Sequence, residues 1–170
     1  MNPIQYFITD TYSQDRLHGQ AIIRLADTLA KRLSPYATKI TIAGSIRRGS
    51  LNPSDIDMIM IPKNREGILH TINTMGGKVW SEGPTQTYFK IQGINVNIYY
   101  TTQGSYGAQL LHTTGSGPHN IGLRRIAQKK GYILNQYGLY KGRKQVAGRT
   151  EESIYKALGR PRYKKPGERQ

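Results

Sequence analysis

Two aspartates, Asp55 and Asp57, stand two apart in the run DIDMIMI at 55–61. In an extended strand, residues two apart share a face. Carboxylates side by side repel each other unless a cation neutralises them. Hard oxygen donors of this kind suit Mg²⁺, which typically takes one or two carboxylates together with substrate phosphates. Two such ions about 3.5–4 Å apart can activate an attacking hydroxyl and stabilise a leaving phosphate oxygen. An isolated D-x-D is more often a solvated strand face, but here the segment GSIRR precedes it at 44–48. A strand running through Gly44-Ser45 into a turn or helix start presents backbone N–H groups that can cradle phosphate. Ser45 adds a hydroxyl, and Arg48 adds a planar cation suited to bidentate phosphate contact. The joint pattern, G-S-x-R-R-x6-D-x-D, sets a phosphate cradle a short excursion away from a metal dyad.

The elements that must position these groups follow from periodicity. From Asp15 the pattern is helical, with Ile22, Leu25, Ala26, Leu29 and Leu33 forming one stripe; Ser34-Pro35 ends it. Strands are expected at 39–43, 55–61, 78–81, 86–91 and 94–101, with a helix at 66–75 between the second and third. Short glycine-containing turns favour hairpins, so the sheet should be mixed or antiparallel with helices on one face. After Gly104 the character changes to helices at 106–112, 120–130 and 151–158. A turn is expected at 114–118, a small hairpin within 134–146, and an irregular basic tail from Arg160. The fold class is α+β, with one unit over 1–104 and a small, mostly helical lobe over 105–170.

Composition narrows the partners. The 25 Lys+Arg against 10 Asp+Glu give a formal charge of +15. Such an excess repels itself and calls for an anionic partner, nucleic acid first. The absence of cysteine excludes disulfides, cysteine-based zinc sites and cysteine nucleophiles. The four histidines show no metal-ligand spacing. The first ten residues lack the order of a signal peptide, and no apolar run approaches the ~20 residues that span a bilayer. A soluble intracellular monomer is expected, in cytoplasm, nucleoid, nucleus or virion, with no membrane partner.

GSIRRGSLNPSDID at 44–57 resembles the nucleotidyltransferase signature of the family X DNA polymerases, the group that includes DNA polymerase beta. YGAQLLHTTGSGPHNIGLRRIAQKKGYILNQYGLY at 106–140 is similar to the nucleotide-binding thumb lobe of that family, and GRTEESIYKALG at 148–159 resembles its last helix. The three stretches run in the family's order and spacing, in the reduced two-lobe form known from large DNA viruses. The resemblance implies a polymerase palm over 1–104 followed by a thumb-type lobe over 105–170. It also implies template-directed addition of deoxynucleoside triphosphates to a primer 3′-hydroxyl on primed or gapped DNA, in short-gap (base excision) repair. Asp55 and Asp57 would hold two Mg²⁺ ions, with Mn²⁺ as a substitute. Gly44, Ser45 and Arg48 would hold the triphosphate. His112, Thr113, Gly115 and Ser116 would lie against the incoming sugar, where the family often has a non-proline cis peptide. Asn120 and Arg124, four apart on a helix face, would reach minor-groove acceptors placed alike in every correct pair. Arg125, Lys129 and Lys130 would meet the DNA backbone.

The sequence departs from the family at four points. The third metal-binding aspartate is matched by Asn97, a neutral amide that cannot take a proton from a hydroxyl. The expectation is a chain that binds nucleotide and DNA but transfers nucleotides poorly. Asn97 fits an introduced change that traps a complex, the reading we favour, and also a naturally inactive relative or a variant with another third ligand. His112-Thr113 replaces an aromatic pair, which implies weaker exclusion of a ribose 2′-hydroxyl. Gly117 lacks a side chain that would contact the base. Only about 40 residues precede the Gly-Ser turn, too few for a lyase domain and its companion, so no lyase activity is expected. Basic tail residues Arg160, Arg162, Lys164 and Lys165 would replace the missing DNA contacts. Two other functions fit the dyad: nucleotidyl transfer without a template, and a non-catalytic nucleotide- or DNA-binding protein.

Overall fold

The computed structural model describes residues 18–170. The helical onset expected at Asp15 lies outside the described residues; helix α1 spans Gln20–Leu33 and buries Ile22, Leu25, Ala26, Leu29 and Leu33. Pro35 sits in a single 3-10 turn, Ser34–Tyr36, where its fixed φ suits a first turn. The chain then builds β1 (Ala37–Ile42), α2 (Gly44–Arg47), β2 (Asp55–Pro62), α3 (Arg65–Thr74), β3 (Lys78–Glu82), β4 (Gln86–Ile91) and β5 (Ile94–Tyr100). Asn64 caps α3 by accepting the Gly67 N–H at 2.9 Å.

The five strands form one sheet in the order β1-β2-β5-β4-β3. After β2 the chain crosses through α3 to the far edge and returns by two hairpins, so β5 enters beside β2 and parallel to it. The other pairs are antiparallel, which makes the sheet mixed. Register sets its two faces. Ile56, Met58, Met60, Phe89, Ile91, Val96 and Ile98 point to a core closed by α1 and α3. The opposite face carries Asp55 and Asp57, then Asn95 and Asn97, then Lys90 and Tyr88, in cross-strand rows.

The second lobe comprises α4 (Tyr106–Thr114), α5 (Gly117–Lys129), β6 (Ile133–Asn135), β7 (Gly138–Lys141), β8 (Lys144–Ala147) and α6 (Glu151–Ala157). Its own core gathers Ala108, Leu111, Leu123, Ala127, Leu139, Ile154, Tyr155 and Leu158. A third cluster joins the lobes: Tyr106 and Leu110 of α4 pack on Ala43, Ile59 and Tyr99 of the first.

Three expectations need correction here. The small hairpin is a three-stranded sheet, β6-β7-β8, because Gly142 at φ 60° turns the chain back for a third strand. The turn expected at 114–118 shrinks to Gly115-Ser116: Thr114 still belongs to α4, and Pro118 sits in the first turn of α5, where its missing N–H costs nothing. The tail is not wholly irregular and solvated. It makes a 3-10 turn at Pro166–Glu168, and Arg169 is 1% exposed because Glu151 neutralises it within the lobe. Among the described residues, no helix is long and apolar enough to cross a membrane.

Candidate active site

The Gly-Ser turn and the acidic strand meet through backbone. The Ala43 N–H donates to the Asp57 carbonyl at 2.8 Å, and the chain turns at once into α2. Gly44 adopts φ +59°, and a Cβ there would lie 2.2 Å from Asp57 Oδ2. Glycine is therefore required twice, by its left-handed backbone and by the approach of the carboxylate. The cradle and the dyad form one place.

Asp57 is half-buried and opposes Asn97 across the β2–β5 pair. The Asn97 amide Nδ2 donates to Asp57 Oδ1 at 3.0 Å. Burial pushes the Asp57 carboxyl above its ordinary value and neighbouring Asp55 adds to this, against the opposing pull of the Asn97 hydrogen bond and Arg48. A partly desolvated Asp57 carboxylate that holds its charge reluctantly, with Asp55 two residues away and a cradle that a Cβ would fill beside it, is a donor set that fits a divalent cation. Asp55 and Asp57 supply two anionic ligands, and Asn97 supplies at most a neutral oxygen. Among the described residues no three His, Cys, Asp or Glu side chains gather as a metal site.

The two arginines after the Gly-Ser turn differ in role. Arg48 donates to the Thr114 carbonyl and lies against Gly115. It thereby joins the cradle to the Gly115-Ser116 turn, whose peptide is cis as the resemblance implied. Ser116 then caps α5 by accepting the His119 N–H at 3.4 Å. Arg47 faces the other lobe, donating to Thr114 Oγ1 at 3.0 Å and to both Glu151 oxygens at 2.8 and 2.9 Å.

The α4–α5 corner is internally satisfied. Asn120 donates to the His112 carbonyl at 2.9 Å, and an Arg124 nitrogen lies 2.9 Å from His112 Nδ1. Partial burial of the ring and the Arg124 charge hold the His112 imidazole below its usual range. Thr113 Oγ1 accepts from Gln109 at 2.9 Å. The residues expected near the sugar and the minor groove are thus brought together, with Asn120 and Arg124 turned onto His112. Arg125, Lys129 and Lys130 are exposed on and just beyond α5.

Sequence reasoning missed a buried ionic cluster. Glu151, 3% exposed, accepts from Arg47, from Arg169 at 2.8 Å and from the Tyr163 hydroxyl at 2.6 Å. Burial pushes its carboxyl up, but hydrogen bonds from Arg47, Arg169 and Tyr163 outweigh that and hold it at about 2. In sequence Glu151 reads only as an acid in a first helical turn. Its actual partners lie 104 and 18 residues away, which no local pattern marks.

Comparison with known proteins agrees with this layout. A family model, the DNA polymerase beta thumb, matches residues 109–170. The DNA polymerase/3′-5′ exonuclease PolX of Bacillus subtilis is 29% identical over 126 residues, which are 69% of this chain. The chain spans only 22% of that relative's length. The repair DNA polymerase X of African swine fever virus (isolate Tick/South Africa/Pretoriuskop Pr4/1996) is 28% identical over 148 residues, covering 80% of this chain and 85% of the viral protein. Among solved structures, Leishmania infantum polymerase beta in a ternary P/T complex superposes with a TM-score of 0.74 at 23% identity, over 91% of this chain and 76% of that one. The same enzyme in a ternary gap complex gives 0.76 at 21% identity, over 89% of this chain and 69% of that one. The shared fold is the mixed sheet with the α/β lobe that follows it.

Proposed function

We propose that this chain, which belongs to family X of the DNA polymerases, the polymerase beta-like group, adds deoxynucleotides to a primer 3′-hydroxyl under the direction of a template in short-gap repair. One observation carries the reading: Gly44 admits the Asp57 carboxylate into the phosphate cradle, while Arg48 of the same turn reaches Thr114 beside the cis Gly115-Ser116 peptide. The groups we read as phosphate-holding, metal-holding and sugar-facing are thereby adjacent, which supports a palm over 1–104 working with a thumb-type lobe over 105–170.

Each group has a task in that reaction. Ser45, Arg48 and the backbone at Gly44 bind the triphosphate and orient it. Asp55 and Asp57 hold Mg²⁺, which supplies Lewis-acid stabilisation of charge on the phosphoryl oxygens. Gly115, Ser116, His112 and Thr113 border the sugar. Asn120 and Arg124 leave His112 to test the minor groove of the nascent pair, and Arg125, Lys129 and Lys130 hold the DNA backbone. Asn97 holds Asp57 by a hydrogen bond where an anionic third ligand would stand, so the chain transfers nucleotides poorly as it is written.

A primer-extension assay on gapped DNA, comparing the chain with Asn97→Asp, tests both parts. Asn97→Asp is expected to extend in the order the template dictates and faster by on the order of 10²-fold or more, the size of effect typical for lost electrostatic stabilisation of a transition state. Equal rates in the two proteins would remove the proposed impairment. Incorporation that ignores the template would favour template-free transfer. The Asn97–Asp57 hydrogen bond also favours a second reading, a non-catalytic nucleotide- or DNA-binding relative; it would prevail if Asn97→Asp bound both substrates and extended nothing.

A further inference from the structure

We propose that the open face of the five-stranded sheet, running from Asp57 to the β3 edge, is a platform for an unpaired 3′ tail of the strand that carries the attacking hydroxyl. It rests on the polymerase reading for one point only, that the 3′ end lies at Asp55 and Asp57.

Register lays out the face in two rows. One runs Asp55, Asn95, Lys90, Lys78 from β2 to the edge, and the other runs Asp57, Asn97, Tyr88, Ser81. The β3–β4 pairing slips between Val79 and Ser81. The bulge turns Trp80 onto Tyr88, their ring centroids 5.3 Å apart and their planes at 41°. Tyr88 in turn meets Tyr99 edge-on at 5.9 Å. Tyr99 follows Asn97 by two residues on β5, so it shares the face on which Asn97 opposes Asp57. The aromatic series therefore leads from the acidic dyad to the edge of the sheet.

Among the described residues, nothing gives two features of the outer end a structural reason. Trp80 is 62% exposed, whereas a large aromatic that serves only packing is mostly covered. Lys78 and Lys90 are direct cross-strand partners, both exposed on the same face. Like charges placed opposite each other destabilise a strand pair, and an anion between them removes the penalty. An aromatic face beside paired cations fits single-stranded nucleic acid: bases stack on rings while lysines follow the phosphates. Aromatics on an open sheet serve unpaired bases in the same way in other folds. Paired bases keep their faces inside the duplex, so a stacking surface favours an unpaired strand.

The dimensions agree. Three strand spacings separate β2 from β3, about 14 Å, which about four stacked nucleotides span. With its 3′ end at the carboxylates, a tail of that length reaches Trp80.

Trp80 is the single tryptophan of the chain, so its emission reports on the platform directly. The test titrates the full chain with a dye-labelled single-stranded oligodeoxynucleotide and with the fully paired duplex of that strand. Dye anisotropy reads binding and tryptophan emission reads Trp80. Binding of the single strand is expected to quench Trp80. Trp80→Ala should lower single-strand affinity about tenfold with little change for the duplex, and Trp80→Phe should keep most of it. Replacing Lys78 and Lys90 together by alanine should flatten the single-strand salt dependence by about 1.4 in log–log slope. Unchanged emission at saturation, or equal losses on single strand and duplex, would overturn the platform. So would a dimer in sedimentation that Trp80→Ala dissociates, since the face would then be a contact between copies. Extension of a fully paired primer by Asn97→Asp is a separate readout. Its failure with Trp80 still quenched would sink the polymerase reading and leave the platform; success with Trp80 silent would do the reverse.

Discussion

Asp57 shows how a binding site works against the stability of the residue that makes it. Its carboxyl is half-buried, has Asp55 two residues away, and occupies the space a Cβ at position 44 would need. Burial first, then Asp55, raise its pKa despite Asn97 and Arg48. A carboxyl raised in the folded state favours folding fully only below its unfolded pKa, and that contribution is lost as pH rises through the folded value. At neutral pH the ionised group therefore costs stability. Asp57→Asn keeps an oxygen to accept from Asn97 and removes the charge. The variant should melt above the parent at pH 7, and the difference should close below about pH 4, where the carboxyl is protonated in both states. Mg²⁺ should raise the melting temperature of the parent and leave Asp57→Asn nearly unchanged. Thermal melts across pH, with and without Mg²⁺, check both. A variant no more stable than the parent at pH 7 would mean that the site accommodates the charge without a cation.

At the scale of elements, the two lobes are joined near the site by one buried acid. Glu151 opens α6 and accepts from Arg47 of α2 and from Arg169 and Tyr163 of the tail. Removing the anion would leave Arg169, fully buried, and Arg47, 20% exposed, without their counter-charge. Breaking such a buried pair from one side typically costs about 3–5 kcal/mol, so Glu151→Gln should lose roughly that at pH 7 in denaturant unfolding. The Glu151 carboxyl is held low, at about 2. Its stabilisation is therefore present above the unfolded value near 4.5 and lost as pH falls toward 2. The gap between parent and variant should narrow over that window. An acid profile parallel to the parent's would show that Glu151 is not the linking charge. This cluster also marks the boundary of what the sequence discloses. The strands read at 55–61, 86–91 and 94–101 and the stripe of α1 were legible to within a residue, because period two and the three- and four-residue steps are local and each element buries one face. That Gly44, Asp57 and Asn97 would meet was legible because they lie within a short motif and on one strand pair. The third strand of the small sheet and the burial of Arg169 were not. Nothing adjacent to Arg169 distinguishes it from the solvated bases around it, and its partner is fixed only when α6 and the tail are both in place. Trp80 was passed over for a related reason: a bulge chooses its face, and a strict alternation hides the bulge.

For the whole molecule, charge decides more than any single contact. A formal +15 on 170 residues is self-repelling, and Glu151 consumes two of the cations internally. Arg162 is engaged by Glu168. The cations left exposed include Arg125, Lys129 and Lys130 at α5, Lys78 and Lys90 at the sheet edge, and Arg160, Lys164 and Lys165 in the tail. They belong to both lobes, so DNA held between them would meet phosphate contacts on two sides. Each contact releases condensed counterions, and six to ten of them weaken duplex binding about 10³- to 10⁵-fold between 50 and 200 mM salt. Equilibrium binding to gapped DNA should therefore fall by at least about 10³ over that range. Replacing Lys129 and Lys130 together by alanine should reduce the log–log slope by about 1.8, alike for every DNA sequence, because phosphates carry no sequence information. A slope that the double replacement leaves unchanged would move the DNA path away from the end of α5. A loss confined to one sequence would mean that these lysines read bases.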